Sequence, residues 1–178
     1  MSERRGGAVA DWIAFTGIRS MHEWLYSTFR DADRTLGDAG VEEGMRVLEV
    51  GCGPGFFTVP AARLVGPTGS VCSIDLNRYA VEHVQCKVAR LGASNVEVRL
   101  LDASATTFEQ ASFDLVLLLG MRRAIGGLDA ILREAHRVLR PQGVLAVEGP
   151  LVRSFDSFLL REQRRRIWVY VRRDAPTP

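Results

Sequence analysis

The chain has 178 residues, of which 47% are hydrophobic and 25% charged, which is ordinary for a single globular domain. The formal net charge of +2 is too small to indicate nucleic-acid binding by itself. Three cysteines without a CxxC pair predict neither a disulfide framework nor a zinc site, so no metal is expected. The N-terminus lacks a signal-like apolar run and no apolar run could span a bilayer, which predicts a cytoplasmic protein without a membrane partner.

The first part of the chain, from Asp11 to about Gly40, has helical periodicity with a break near Thr16-Gly17. Aromatic residues recur at helical spacing here, and they fit either packing or a cap over a site. His22 and Tyr26 lie one helical turn apart on the same face. We therefore treat residues 1–40 as a predicted N-terminal helical cap.

The middle of the chain alternates apolar strands with amphipathic helices. This rhythm predicts a parallel sheet with helices on both faces. The helix over 78–91 should turn Ala80, Val81, Val84, Val88 and Leu91 inward and end at Gly92. Pro141-Gln142-Gly143 is predicted to form the turn into the fifth strand. The predicted strands are Arg46–Val50, 70–75, Val96–Leu101, Phe113–Leu119 and Val144–Glu148, and the helices are 56–65, 78–91 and 128–139.

The tail departs from this rhythm and reads as two strands, Phe155–Gln163 and Arg165–Arg173, joined by a tight turn. An antiparallel hairpin at the sheet edge fits this pattern. Exposed Trp168 and Tyr170 on an edge strand would permit a homodimer. The arginines clustered here favour a solvated edge strand that is kept from pairing with other sheets over a binding surface for an anionic partner. They are Arg161, Arg164, Arg165, Arg166, Arg172 and Arg173.

A glycine turn follows the first strand, and the chain is organised around it. Glu49 lies near the end of that strand, and Gly51-Cys52-Gly53-Pro54-Gly55 leads into a helix N-terminus, which favours polar or anionic ligand groups. Asp75 ends the second strand, where an acidic side chain can hold the ribose hydroxyls of a nucleotide. The two features together predict a nucleotide-cofactor site.

Five motifs in order resemble the class I S-adenosylmethionine-dependent methyltransferases, in their small ubiquinone-biosynthesis-like (methyltransferase type 11) branch. The resemblance implies an α/β, Rossmann-like three-layer sandwich with a mostly parallel seven-stranded sheet and an antiparallel C-terminal hairpin. It implies one domain over 1–178, with a cofactor-binding core at 41–149 and the hairpin at 150–178. The motifs are Glu49 to Gly55, Ile74-Asp75, Asp102-Ala103, Phe113 to Val116 and Arg137 to Gly143.

The resemblance also implies a role for each matching residue. Gly51, Gly53 and Gly55 would pass under the methionine part of S-adenosyl-L-methionine, and Cys52 between them would also belong to the cofactor site. Glu49 would help hold the amino group of the cofactor, directly or through water. Asp75 would accept both ribose hydroxyls and Leu76 would lie against the adenine. Asp102 and Ala103 would meet the polar edge of the adenine. The backbone of Leu119 and Gly120 would contact the cofactor at the end of strand four.

The implied activity is methyl transfer (EC 2.1.1.-) to a small-molecule acceptor that the sequence does not identify. An acceptor hydroxyl or carbon would need a general base, and the candidates are His22, Tyr26 and Glu148. Two departures concern the substrate side. Met121 to Ile125 replace the polar residues that usually follow strand four, and the helix between strands five and six is missing or reduced to one turn.

Other functions stay open. A non-catalytic cofactor-binding subunit that supports a partner protein would explain the reduced substrate side. A nicotinamide-dependent oxidoreductase shares the glycine turn and the acidic residue, but Phe56 stands where its fingerprint has a last glycine. Nucleic acid is disfavoured as a partner, because no Asn/Asp-Pro-Pro-Tyr motif follows strand four, although the arginine-rich hairpin keeps RNA open.

Overall fold

The computed structural model describes residues 31–120, 128–149 and 157–173. The predicted N-terminal helices before residue 31, with His22 and Tyr26, lie outside the described residues. So do Met121 to Ile125 and the segment 150–156, where a reduced helix was predicted. The division of the chain into cap, core and hairpin stays a prediction.

Alternating strands and helices form the described chain, as the sequence pattern predicts. The helices are α1 (Ala32–Asp38), α2 (Thr58–Val65), α3 (Arg78–Leu91) and α4 (Leu128–Val138). The strands are β1 (Arg46–Val50), β2 (Ser70–Asp75), β3 (Val96–Leu100), β4 (Phe113–Leu118), β5 (Leu139–Glu148), β6 (Phe158–Arg164) and β7 (Ile167–Arg172).

These strands form one seven-stranded sheet in the order β3-β2-β1-β4-β5-β7-β6. The first five strands are parallel, and β7 runs antiparallel to both β5 and β6. The predicted Rossmann-like fold with a C-terminal hairpin is confirmed. The antiparallel strand inside the sheet differs from the 3-2-1-4-5-6 order of dinucleotide-binding folds, which disfavours the oxidoreductase.

The hydrophobic core has two layers, one on each face of the sheet. Helices cover both faces, so the strands are apolar on both sides. Leu36, Ala61 and Val65 of α1 and α2 pack on the sheet face that presents Val47 and Val71. The opposite face is covered by α4. Helix α3 packs on the α2 side through Val81 and Val84.

Two details of these elements differ from the prediction. The sequence predicts a turn at Pro141-Gln142-Gly143, but these residues lie within β5. The strand is irregular there, because Gln142 has a positive φ and the pairing of β5 with β4 shifts register between Phe113 and Leu115 of β4. The pattern predicts that Leu91 faces the core, but it is 56% exposed at the end of α3.

The predicted exposure of Trp168 and Tyr170 on an edge strand is wrong. The second strand of the hairpin returns between β5 and β6, so that β6 is the edge. Tyr170 is therefore buried and Trp168 is half-buried against the core. A homodimer through these two rings has no support.

Candidate functional site

A cavity of about 580 Å³ opens at the carboxyl ends of β1, β2, β3 and β4. This is the edge where open α/β sheets bind ligands. Its volume lies within the range of small-molecule and cofactor sites. Its lining residues are Val50, Gly51, Cys52, Gly53, Pro54, Phe56, Phe57, Ile74, Asp75, Leu76, Leu101, Asp102, Ala103, Leu119, Gly120 and Ile131.

Asp75 lies at the centre of this edge, and backbone groups orient its carboxylate. Oδ2 accepts a hydrogen bond from the Gly53 N–H at 2.9 Å, and Oδ1 accepts one from the Asn77 N–H at 2.8 Å. The N-cap of α3 is Asn77, whose side chain accepts from the Tyr79 N–H, so Asp75 is not used to cap this helix. The strand end therefore presents a pre-oriented carboxylate beside the glycine turn.

Within the glycine turn, the three glycines have different surroundings. Gly51 and Gly53 line the cavity, and a Cβ at Gly53 would meet open space. Gly55 is not a lining residue, and a Cβ there would lie 2.9 Å from Cγ2 of Val84 on α3. Gly55 thus allows the turn to pack on α3. The sequence pattern alone does not show whether a glycine at this position serves such packing or contact with a ligand.

Glu49 lies under the turn and does not line the cavity. It is buried on the α2 side of the sheet, where its Oε2 accepts hydrogen bonds from Thr58 Oγ1 at 2.6 Å and Ser73 Oγ at 2.5 Å. Burial is the main cause that raises its pKa from 4.5 to about 7, and these two hydrogen bonds oppose the shift. Its contact with a cofactor amino group stays a prediction.

Cys52 contributes to the cavity wall while its residue is buried among Val81, Val84 and Val98. Burial raises the pKa of its thiol well above the ordinary value. A neutral, inaccessible thiol is a packing group rather than a nucleophile.

The far end of the cavity is apolar and ends in an acidic loop. Leu76 is 71% exposed and lines the cavity, so its side chain offers an apolar surface on which a flat ring could lie. Asp102 accepts hydrogen bonds at Oδ1 from the N–H of Ser104 at 2.8 Å and from its hydroxyl at 2.7 Å. These bonds lower the pKa of Asp102, so that this end of the cavity carries an ionised carboxylate.

Glu148, a predicted candidate for the general base, does not line the cavity. It is buried at the end of β5, and its Oε2 accepts a hydrogen bond from the Gly120 N–H at 3.1 Å. This bond ties the ends of β5 and β4 together, which places Gly120 at the cavity wall. A positioning function fits this geometry better than proton transfer, and the catalytic assignment stays a prediction.

Some lining residues were not predicted as site residues. Phe56 follows the glycine turn directly, and its ring meets that of Phe57 edge to face, with centroids 4.9 Å apart. Ile131 of α4 was predicted as a core residue, and it both packs on the core and lines the cavity. An aromatic residue directly after the turn was a usable signal, but helical periodicity could not show that Ile131 reaches a cavity.

Lys87 was also missed. It is the single lysine of the chain, and its Nζ donates to the Gly55 carbonyl at 2.7 Å, which fixes the end of the glycine turn.

Among the described residues, no cluster of three or more His, Cys, Asp or Glu could hold a metal ion. No helix of the described chain is long and apolar enough to cross a membrane.

The fold and the cavity together define an α/β protein with a ligand-sized cavity at the carboxyl ends of its parallel strands. A family model described as a methyltransferase domain matches residues 41–164, and the chain belongs to this family. The predicted resemblance is confirmed.

The relatives of this chain include curated methyltransferases. Nocamycin O-methyltransferase of Saccharothrix syringae is 36% identical over 124 residues, which is 69% of this chain and 44% of the relative. Demethylmenaquinone methyltransferase of Staphylococcus aureus (strain JH9) is 38% identical over 113 residues, 63% of this chain and 46% of the relative. The chain thus spans about half the length of these two relatives.

A similar fold is seen in the crystal structure of a SAM-dependent methyltransferase from Aquifex aeolicus. It superposes with a TM-score of 0.77 over 88% of this chain and 97% of the other, at 22% identity. At this identity the likeness supports the fold alone.

Proposed function

We propose that the protein is an S-adenosylmethionine-dependent methyltransferase (EC 2.1.1.-) that acts on a small-molecule acceptor. The observation that carries the proposal is the Asp75 carboxylate, which backbone N–H groups orient at the end of β2 beside a glycine turn. Family membership and the two curated relatives, both named as methyltransferases, support it. The cytoplasmic location predicted from composition stays part of the proposal.

The residues of the cavity fit the proposed cofactor. Asp75 would accept the ribose hydroxyls, because a carboxylate offers two acceptor oxygens. Leu76 offers an exposed apolar surface to the adenine, and Asp102 and Ala103 lie where its polar edge would be. Gly51 and Gly53 leave room for the methionine part, and Leu119 and Gly120 complete the wall.

When bound, S-adenosylmethionine supplies a methyl group on a sulfonium, and the leaving group is a neutral thioether. The protein's task is then to hold an acceptor in line and to exclude water. Phe56, Leu119 and Ile131 give the cavity an apolar wall suited to the second task. Of the three proposed bases, His22 and Tyr26 lie outside the described residues, and Glu148 is occupied with Gly120.

The second candidate is a cofactor-binding subunit without its own catalysis, supporting a partner protein. Its support is in the sequence, where Met121 to Ile125 replace the polar residues that usually follow strand four. Binding of the cofactor without turnover of any acceptor would favour this candidate.

The test is calorimetric titration of the purified protein with S-adenosylmethionine, S-adenosylhomocysteine and NAD. We expect micromolar binding of the first two and none of NAD. Asp75→Ala should weaken binding at least about 100-fold, because it removes a charged acceptor of two hydrogen bonds. Asp33→Ala, which removes an exposed carboxylate of α1, is the matched control and should bind normally. Equal affinity in wild type and Asp75→Ala would refute the assignment.

A further inference from the structure

The loop between β3 and β4 begins at the cavity and has no helix or strand to hold it. Its first residues, Leu101, Asp102 and Ala103, line the cavity. The loop then runs as turns and irregular chain to Ser112. Since backbone ladders do not order such a segment, the positions of these lining residues depend on contacts made further along the loop.

Glu134 of α4 makes the main polar contact with this loop. Its Oε1 accepts hydrogen bonds from the Thr106 N–H at 2.9 Å and from the Thr106 hydroxyl. The Glu134 side chain is only 11% exposed, so these bonds are largely shielded from water. A shielded carboxylate that accepts several hydrogen bonds holds its partners more firmly than a neutral acceptor would.

Arg137, one turn along α4, completes the contact. Its Nε donates to Oε2 of Glu134 at 2.9 Å and its Nη2 donates to Oε1 at 2.6 Å. The same Nη2 donates to the Phe108 carbonyl at 2.8 Å. The bond from Arg137 is the main cause that lowers the pKa of Glu134, so the carboxylate is ionised at neutral pH. We call Glu134, Arg137 and Thr106 the α4 clamp.

The clamp is close to the cavity along the chain. Asp102 is bonded to Ser104, and the Ala105 N–H donates to the Asp102 carbonyl at 3.2 Å, so residues 102–105 form one closed turn. Thr106 follows this turn directly. Release of Thr106 would therefore leave the turn attached to the fold through its β3 end, where the Leu101 N–H donates to the Asp75 carbonyl, and through the packing of Ala103 on the core.

We propose that Glu134 is a positioning residue for the adenine end of the cofactor site: by holding Thr106, it sets the place of Asp102 and Ala103 without touching the ligand. This inference rests on the proposed function, since the adenine end is assigned through it. It predicts that the effect of Glu134 on binding passes through Asp102.

The experiment is a double-mutant cycle with S-adenosylhomocysteine as the probe, measured by calorimetry in the full chain. Glu134→Gln keeps the shape of the side chain and removes its charge, and we expect about tenfold weaker binding. In an Asp102→Ala background the same change should weaken binding less than about threefold further, because the contact it positions is already gone. Glu109→Gln, an exposed glutamate of the same loop, is the control and should bind as wild type does.

Two results would overturn the inference. One is wild-type affinity in Glu134→Gln. The other is the same loss in both backgrounds, which would mean a general effect on the fold. If Glu134→Gln does not fold, Thr106→Val takes its place in the cycle. Its expected loss of about two- to fivefold should then be absent in the Asp102→Ala background, and an equal loss in both backgrounds would refute the inference.

A second readout separates this inference from the proposed function. Hydrogen exchange of residues 101–107 in the ligand-free protein should be faster in Glu134→Gln than in wild type, while exchange in β1 and β2 is unchanged. Unchanged exchange at 101–107 would refute the clamp whatever the ligand. If wild type and Asp75→Ala both fail to bind S-adenosylhomocysteine, the proposed function fails and the adenine assignment falls with it. If Asp75→Ala loses binding but Glu134→Gln does not, only the inference falls.

Discussion

Two loops line the same cavity, the glycine turn after β1 and the loop 101–112 after β3, and they are held in different ways. Adjacent backbone and buried groups fix the turn. The N–H groups of Gly51 and Cys52 donate to the Ile74 carbonyl at 2.8 and 3.1 Å, and Gly55 donates to Cys52 at 2.8 Å. The loop 101–112 packs on the core through Ala103 and Phe108, and its polar contacts come from side chains of α4, which follows later in the chain.

This difference predicts what substitutions in each loop will do. The turn belongs to the core, because Gly55 packs on Val84 and Glu49 is buried beneath it. Changes there should lower the free energy of unfolding. The clamp of loop 101–112 is not part of the hydrophobic core, so changes there should alter ligand affinity more than the free energy of unfolding.

Gly55→Ala should give the largest loss of stability. The residue has φ +71°, where an L side chain is strained, and the new Cβ would lie 2.9 Å from Cγ2 of Val84. Strain and overlap together should lower the free energy of unfolding by about 2–4 kcal/mol. Urea denaturation followed by circular dichroism measures this change.

Two controls separate strain from overlap at Gly55. Gly53→Ala also has a positive φ but open space around the Cβ, so it should lower the free energy of unfolding by only about 1 kcal/mol. In a Val84→Ala background the overlap is gone, and Gly55→Ala should then be milder than in wild type. Strictly additive losses in the double variant would contradict the packing explanation.

The sequence was sufficient to predict the turn, because its residues form a recognisable pattern, even though its N–H groups bond to the Ile74 carbonyl of another strand. Alternate glycines after an apolar strand and Asp75 at the end of the next strand are visible in the letters, and the strands and helices around them are confirmed within a few residues. The α4 clamp was not predictable, because Thr106 and Glu134 are 28 residues apart and no motif joins them.

The hairpin shows a second limit of sequence reasoning. The alternation in Ile167 to Arg172 correctly predicts a strand, but it cannot show which strand lies next to it in the sheet. Because β7 lies between β5 and β6 and not at the sheet edge, Tyr170 is buried in the core. The order of strands is a tertiary property that periodicity does not contain.

Glu49 should give the turn a pH-dependent stability. Its pKa is raised from 4.5 to about 7 in the folded protein, chiefly by burial. The folded state therefore holds a proton that the unfolded state releases between these values, and stability falls as the pH rises through this range. From pH 5 to pH 8, wild type should lose roughly 2–3 kcal/mol through this group. The groups around it are Thr58, Ser73, Asp75 and Lys87.

Glu49→Gln removes this titration, because an amide resembles the protonated acid. In urea denaturation, the free energy of unfolding of wild type should fall by roughly 2–3 kcal/mol more than that of the variant between pH 5 and pH 8. Glu97→Gln, which changes an exposed glutamate of β3, should keep the wild-type pH dependence. If the curves of Glu49→Gln and wild type stay parallel, Glu49 does not titrate in this range.

Thr106→Val should give the smallest effect and the sharpest contrast with the turn. The change removes the hydroxyl that donates to Glu134 but keeps the N–H that donates at 2.9 Å, so the clamp is weakened and not lost. The free energy of unfolding should fall by less than about 1 kcal/mol, while S-adenosylhomocysteine should bind about two- to fivefold more weakly. Thr107→Val makes the same change at an exposed neighbour and should alter neither quantity. A loss of stability without a loss of affinity would show that Thr106 stabilises the fold, as the residues of the glycine turn do, and does not position the ligand site. The distinction between the two loops would then be wrong.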